Sequence, residues 1–142
     1  MTIIQRSVTL GPFPRGVHCI TDAVVERLPE LHQFTLGVAQ LFLQHTSAAL
    51  TLGENTDPDV RSDLDEHLER LVPDDLRFYR HRIEGADDAS SHIKSVLVGS
   101  TLSIPIRNGN FMLGRWQGIY LCEFRAHASA RTIVVTLIGE RQ

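Results

Sequence analysis

The chain almost lacks lysine: of its 14 basic residues, 13 are arginine and only Lys94 is not. Two readings of that bias stay open. Genomic base composition accounts for it, or several guanidinium groups bind phosphate or carboxylate through their two-pronged donors. Cysteine is also scarce. Cys19 and Cys122 cannot build the dense disulfide framework of a small secreted domain. Reduced thiols and a cytoplasmic location are therefore expected. No apolar run reaches the ~18 residues of a membrane-spanning helix, so no membrane partner is expected. Residues 1–16 contain Arg6 and no long apolar stretch, which excludes a signal-peptide pattern. There is no basic excess either. A formal net charge of −3 argues against nucleic acid as the partner. GxSxG, P-loop, GxGxxG and CxxC patterns are all missing, which weakens hydrolase-elbow, NTPase and dinucleotide readings.

What is present fits one globular domain over residues 1–142. Hydrophobic residues make up 42% and charged residues 22%, which excludes a disordered chain. Residues 2–10 alternate as a first strand, and Val17 to Thr21 read as a second. Asp22 is placed to cap a short helix carrying Ala23, Val24, Val25 and Leu28. The run Phe34 to His45 is almost continuously apolar and reads as a strand buried on both faces. Ala48 to Gly53 form another strand. Asp57 and Pro58 open a helix with Val60, Leu64, Leu68 and Leu71 at helical spacing, closed by Pro73. Residues 74–88 look irregular. A second helix follows, capped by Asp88 or Ser90, stopped by Gly99, with Ile93, Val96 and Leu97 as its expected buried side. Leu102, Ile104 and Ile106 alternate up to the Asn108-Gly109 turn. GRWQGIYLCEFR and RTIVVTLIGE supply two more strands. Strands at both ends and helices in the middle give an α+β class with mixed, mainly antiparallel sheet.

Seven histidines are many for this length. His45 closes an apolar strand, His81 lies in a polar segment, and His92 falls in the first turn of the second helix. Their spacing matches no short metal motif. Scattered, separately bonded histidines are the plainer alternative to one shared site. Glu123 sits among large apolar residues in IYLCEF, and a buried carboxylate needs a cation, a metal or several hydrogen bonds. Arg125 is the nearest candidate partner in sequence. Cys122 points to the opposite face and reads as a core thiol.

Taken together, LFLQHTSAALTLGEN, DPDVRSDL, YRHRIEGADDASSHIKSVLVGSTLSIPI and LGRWQGIYLCEFR resemble the YjbQ-like family, known as secondary thiamine-phosphate synthase enzymes. The resemblance runs from about Arg15 to Glu140. It implies a single-domain α+β sandwich assembled as a homotrimer. It implies a site built from His45, His81 and His92, which could ligate a divalent metal, with Glu123 as a further catalytic candidate. Asn55, Asp88, Arg115, Gln117 and Arg131 are the implied substrate-binding residues, and Glu84 also matches a family position. GRWQ departs from the family's usual element, since Arg115 replaces a threonine. The implied activity joins a hydroxymethylpyrimidine pyrophosphate to a thiazole phosphate and releases pyrophosphate. Three imidazoles favour zinc or another transition ion, whereas pyrophosphate chemistry usually employs magnesium. Two alternatives stand beside it: a metal-dependent hydrolase, and a non-catalytic trimer that binds a metabolite or anion.

Overall fold

The structure, a computed structural model, describes residues 1–142. In chain order it forms strands β1 (Thr2–Leu10) and β2 (Gly16–Cys19), helix α1 (Thr21–Glu26) and a 3-10 turn (Pro29–Gln33). Strands β3 (Phe34–Leu43) and β4 (Ala48–Glu54) follow, then helices α2 (Pro58–Leu71) and α3 (Asp88–Val98). Strands β5 (Thr101–Arg107), β6 (Asn110–Phe111), β7 (Gln117–Glu123) and β8 (Arg131–Arg141) complete the chain. No helix is long and apolar enough to cross a membrane.

The strands form two sheets, ordered β1-β8-β3-β5-β6 and β2-β7-β4. Every pairing is antiparallel, so the expected mixed sheet is corrected. The main core lies between the two inner faces. Leu41, Ile104, Ile133, Val135 and Leu137 come from the larger sheet, and Leu50, Ile119 and Leu121 from the smaller. The smaller sheet is covered again on its other face, where Ala49, Cys122, Phe124 and Leu68 of α2 pack together. Strand β7 is therefore the one buried on both faces. Gly118 to Glu123 are all buried, and burial pushes the Cys122 thiol up to about 12.

Strand β3 behaves differently from its sequence reading. It alternates, and Leu36, Val38 and Phe42 stand exposed on the outer face of the larger sheet. The reason is topological: β3 lies in the outer layer, with core on one side only.

Local signals worked where side chain meets backbone. Asp57 caps α2 by accepting the Asp59 N–H at 2.9 Å, and Pro58 takes the first helical position. Such a cap is worth about 1 kcal/mol. In α1, by contrast, Ile20 holds the cap position, no side-chain cap bond forms, and Asp22 sits inside the first turn. The strand expected over GRWQGIYLCEFR starts only at Gln117, because Gly114 to Trp116 turn before the ladder begins.

Candidate functional site

Helix α3 is amphipathic in the opposite sense to its sequence reading. Ile93, Val96 and Leu97 face outward, with Val96 83% exposed. Asp88, Ser90, Ser91, Lys94 and Ser95 face inward. Asp87 holds the cap position, where the sequence points to Asp88 or Ser90. Polar anchors outweigh the apolar stripe here, since each inward group finds a partner and an unpartnered one would be costly. Ser95 donates to the Ala48 carbonyl at 2.8 Å, and Ser91 to the Asp88 carbonyl at 2.6 Å. Lys94, fully buried, donates to Glu69 at 3.0 Å and lies over the Phe124 ring. Arg15 bridges Glu69 and Asp74, and Ser90 donates to Asp74. The sole lysine of the chain thus sits in an ionic network that ties α3 to α2.

This seating presents Asp88 and His92, one helical turn apart on α3, to His81 from the preceding segment. The Asp88 Oδ2 lies 2.5 Å from His81 Nε2 and 2.9 Å from His92 Nε2. The two ring centroids are 5.4 Å apart, and the three ligand-type atoms all lie within 4.8 Å of one another. Arg125 engages the other carboxylate oxygen of Asp88, pairs with Asp87 at 3.1 Å, and donates to the Glu84 carbonyl at 2.9 Å. Burial alone would raise the Asp88 carboxyl. Hydrogen bonding from His81, the charge and hydrogen bond of His92, and Arg125 together outweigh burial and hold it below the usual carboxylate range.

These three groups could hold a metal ion, and as placed they are joined by hydrogen bonds. His92 Nδ1 donates to the Thr46 carbonyl at 2.7 Å, which fixes the ring and turns Nε2 toward Asp88. The lone pair of a neutral His92 then meets a carboxylate oxygen, and two electron-rich atoms at that distance need a cation, either a proton or a metal. Asp88 Oδ2, His81 Nε2 and His92 Nε2 are the ligand-type atoms that could hold a metal.

His45 is not in this trio. Its Nε2 accepts the Thr132 N–H at 2.9 Å, and its Nδ1 lies 3.2 Å from Arg131 Nη1. Burial and the Arg131 charge lower its pKa, partly offset by Glu123. Asp88, read from the sequence as substrate-binding, occupies the place expected for a third imidazole. His45 and His92 nevertheless line one open cleft of about 560 Å³, with Thr46, Ser95, Val96 and Ser100.

Glu123 is fully buried, and its partner is Arg131 rather than Arg125. Arg131 donates from Nε to Oε1 at 2.7 Å and from Nη2 to Oε2 at 2.5 Å. Arg125 offers Glu123 only its backbone N–H, at 3.2 Å. The β7–β8 turn brings Arg131 back over Glu123, and sequence adjacency could not show that. Asn55, Arg115 and Gln117 form a separate group. Asn55 donates to the Arg115 and Gln117 carbonyls at 3.2 and 3.0 Å, Arg115 stacks on Trp116, and Gln117 accepts the Gly114 N–H. Because Ala48 pairs with Glu123 and Glu54 with Gln117, this group stands at the far end of the β4–β7 ladder, roughly 20 Å away.

Sequence reasoning missed Arg125 as the partner of Asp88, Thr46 and the Arg15–Glu69–Lys94 network. One signal was available: Asp88 and His92 are four residues apart, which puts them on one helical face. The network joins distant segments and left no such trace.

A two-sheet antiparallel α+β domain with a helix-borne His/Asp cluster defines the class of protein. Residues 6–140 match the family model described as UPF0047 protein YjbQ-like. The UPF0047 protein YjbQ of Salmonella typhimurium is 49% identical over 136 residues, spanning 96% of this chain and 98% of its own. The chain belongs to the UPF0047 YjbQ-like family. YugU of Bacillus subtilis is 37% identical over 105 residues, 74% of this chain and 76% of its own. A crystal structure of an uncharacterized YjbQ/UPF0047-family protein from Clostridium acetobutylicum aligns with TM-score 0.78 at 36% identity, covering 95% of this chain and 99% of that one. A Sulfolobus solfataricus structure of unknown function shares the fold, with TM-score 0.82 at 22% identity over 98% and 99% of the two chains.

Proposed function

We propose that the chain is a metal-dependent enzyme acting on a small phosphorylated metabolite, with His81, Asp88 and His92 holding the ion. The observation that carries this reading is the seating of His92. Its Nδ1–H is spent on Thr46, so Nε2 faces the Asp88 oxygen that Arg125 leaves free. Two imidazoles and one carboxylate favour zinc or another transition ion over magnesium, which prefers an all-oxygen shell. Such an ion, when bound, supplies Lewis acidity and water activation. The residues of this chain orient it. Thr46 fixes the His92 tautomer, Arg125 fixes Asp88, and the Lys94–Glu69–Arg15 network fixes α3 itself. Glu123 acts through Arg131 from behind the cleft. Asn55, Arg115 and Gln117 join the site only if a second copy carries them to it. A homotrimer is the assembly we propose, and exposed Leu36, Val38, Phe42 and Ile138 on the outer sheet face support an interface between copies.

The reaction proposed first is formation of thiamine phosphate. The pyrimidine methylene carbon bonds to the thiazole nitrogen and its bond to pyrophosphate breaks. Phosphoester hydrolysis is the second reading, favoured by the donor set, which leaves coordination positions for water. Purified protein supplied with zinc, manganese or magnesium is assayed for thiamine phosphate and for released phosphate. Turnover lost in His92→Ala and Asp88→Asn supports the enzyme reading. Turnover unchanged in both variants places the activity elsewhere, and stoichiometric ligand binding without turnover makes the protein a binder.

A further inference from the structure

The two nitrogens of His45 pose a chemical conflict. A neutral imidazole has one acceptor nitrogen and one N–H. The Thr132 backbone N–H points at Nε2 from 2.9 Å, so Nε2 is the acceptor and the ring proton is on Nδ1. Turning the ring over would put carbon against that amide and leave it without a partner. Yet Nδ1 lies 3.2 Å from Arg131 Nη1, which can only donate. Two N–H donors therefore face each other with no acceptor between them.

The rest of Arg131 is fixed. Nε and Nη2 grip Glu123, and Nη2 also donates to Ser47 Oγ at 2.9 Å. Nη1 has no acceptor in the chain. Arg131 is 4% exposed and cannot swing away to relieve the contact. His45 is half-buried and lines the cleft that also holds His92. The chain supplies no acceptor for these two donors, and the cleft at His45 is where one can enter.

We infer that His45 Nδ1–H and Arg131 Nη1–H form a two-donor subsite for one oxygen of a phosphate group carried by the cleft's ligand. The donors are pre-organised, because Thr132 orients the ring and Glu123 orients the guanidinium, so little is reordered on binding. Glu123 also cancels the Arg131 charge, so the subsite recognises an oxygen through direct hydrogen bonds more than through long-range attraction. His45 is thereby a ligand donor, distinct from the three residues that hold the ion. The inference rests on the reading of this cleft as a ligand site, and it needs no metal.

The test is nitrogen-detected NMR of the histidine rings in the full-length protein, as isolated and after chelator treatment, titrated with inorganic pyrophosphate. The free protein should show His45 protonated at Nδ1 only. Pyrophosphate should shift the His45 resonances saturably, with exposed His67 and His127 unmoved. His45→Asn should weaken pyrophosphate binding by roughly ten- to a hundredfold, the loss expected for one hydrogen bond to a charged group. Because that change also removes a partner from the Thr132 amide, the wild-type titration decides. An Nε2-protonated His45, or His45 resonances indifferent to saturating pyrophosphate, would overturn the inference. A His45 response that persists after chelation, in a protein that binds no metal, upholds the subsite and defeats the metal centre. Metal binding with a silent His45 does the reverse.

Discussion

Two polar clusters each lend one imidazole, His45 and His92, to the same cleft and are built in opposite ways. Glu123, Arg131 and His45 form a set whose carboxylate is wholly buried and whose guanidinium is almost so. His81, Asp88 and His92 form a set whose carboxylate is buried but whose imidazoles are half exposed. In the first, a carboxylate meets a guanidinium in bidentate geometry, and the partners neutralise each other. In the second, two imidazoles converge on one carboxylate oxygen of Asp88. The difference separates a self-neutralising pair, which fixes Arg131 beside His45, from a set that converges on one oxygen. A buried pair in bidentate geometry fixes position, whereas half-exposed imidazoles around one carboxylate stay accessible from solvent.

Removing one partner of the closed cluster should have the largest effect on stability. Glu123→Ala strands Arg131 in the interior and should cost about 3–5 kcal/mol in urea denaturation. A loss below ~1 kcal/mol would mean that water already reaches the pair. Lys94→Met keeps the volume but cuts the tie between α3 and α2. It should cost about 1–2 kcal/mol, because Glu69 retains Arg15, and it should also weaken metal binding by loosening α3. Retained metal affinity in that variant would separate helix seating from the ion site. The open cluster should show the inverse pattern. His81→Ala should change stability by no more than about 0.5 kcal/mol, while isothermal titration shows metal affinity down more than about a hundredfold.

The smallest effect is a pH dependence. His45 has a folded pKa below its usual value of 6.5, so just below that pH the unfolded chain binds more protons than the folded one. Stability contributed by this ring is present above pH 6.5 and lost as pH falls from there toward the lowered folded value. Urea midpoints at pH 7.5, 6.5 and 5.5 should decline across this series in the native chain and decline less in His45→Gln. Equal slopes would show that His45 titrates normally.

Much of the fold was legible because it rests on local signals. The Asp57-Pro58 start of α2, the Asn108-Gly109 turn and the alternation of Leu102, Ile104 and Ile106 each predict their element from neighbouring residues. Layer position was not legible. The apolar runs of β3 and β7 look alike in sequence, yet β7 lies between two layers and β3 on the outside. The face of α3 misled for a related reason. Ile93, Val96 and Leu97 have the spacing of a core stripe, but the partners of Ser90, Lys94 and Ser95 come from α2, β4 and the segment before α3. At the site, the residue types were readable and the groupings were not. His81 and His92 meet, Asp88 joins them through its helical spacing to His92, and His45 is drawn off by Arg131 across 86 residues of chain.

The most direct test of the metal centre is cobalt(II) titration of the purified protein, followed by visible absorption and by metal analysis after gel filtration. One ion per chain with low-coordinate d–d bands, lost in both Asp88→Asn and His92→Ala while His45→Gln keeps it, is the result predicted. A protein that takes up no ion, or that holds it equally well in Asp88→Asn and His92→Ala, would contradict the account.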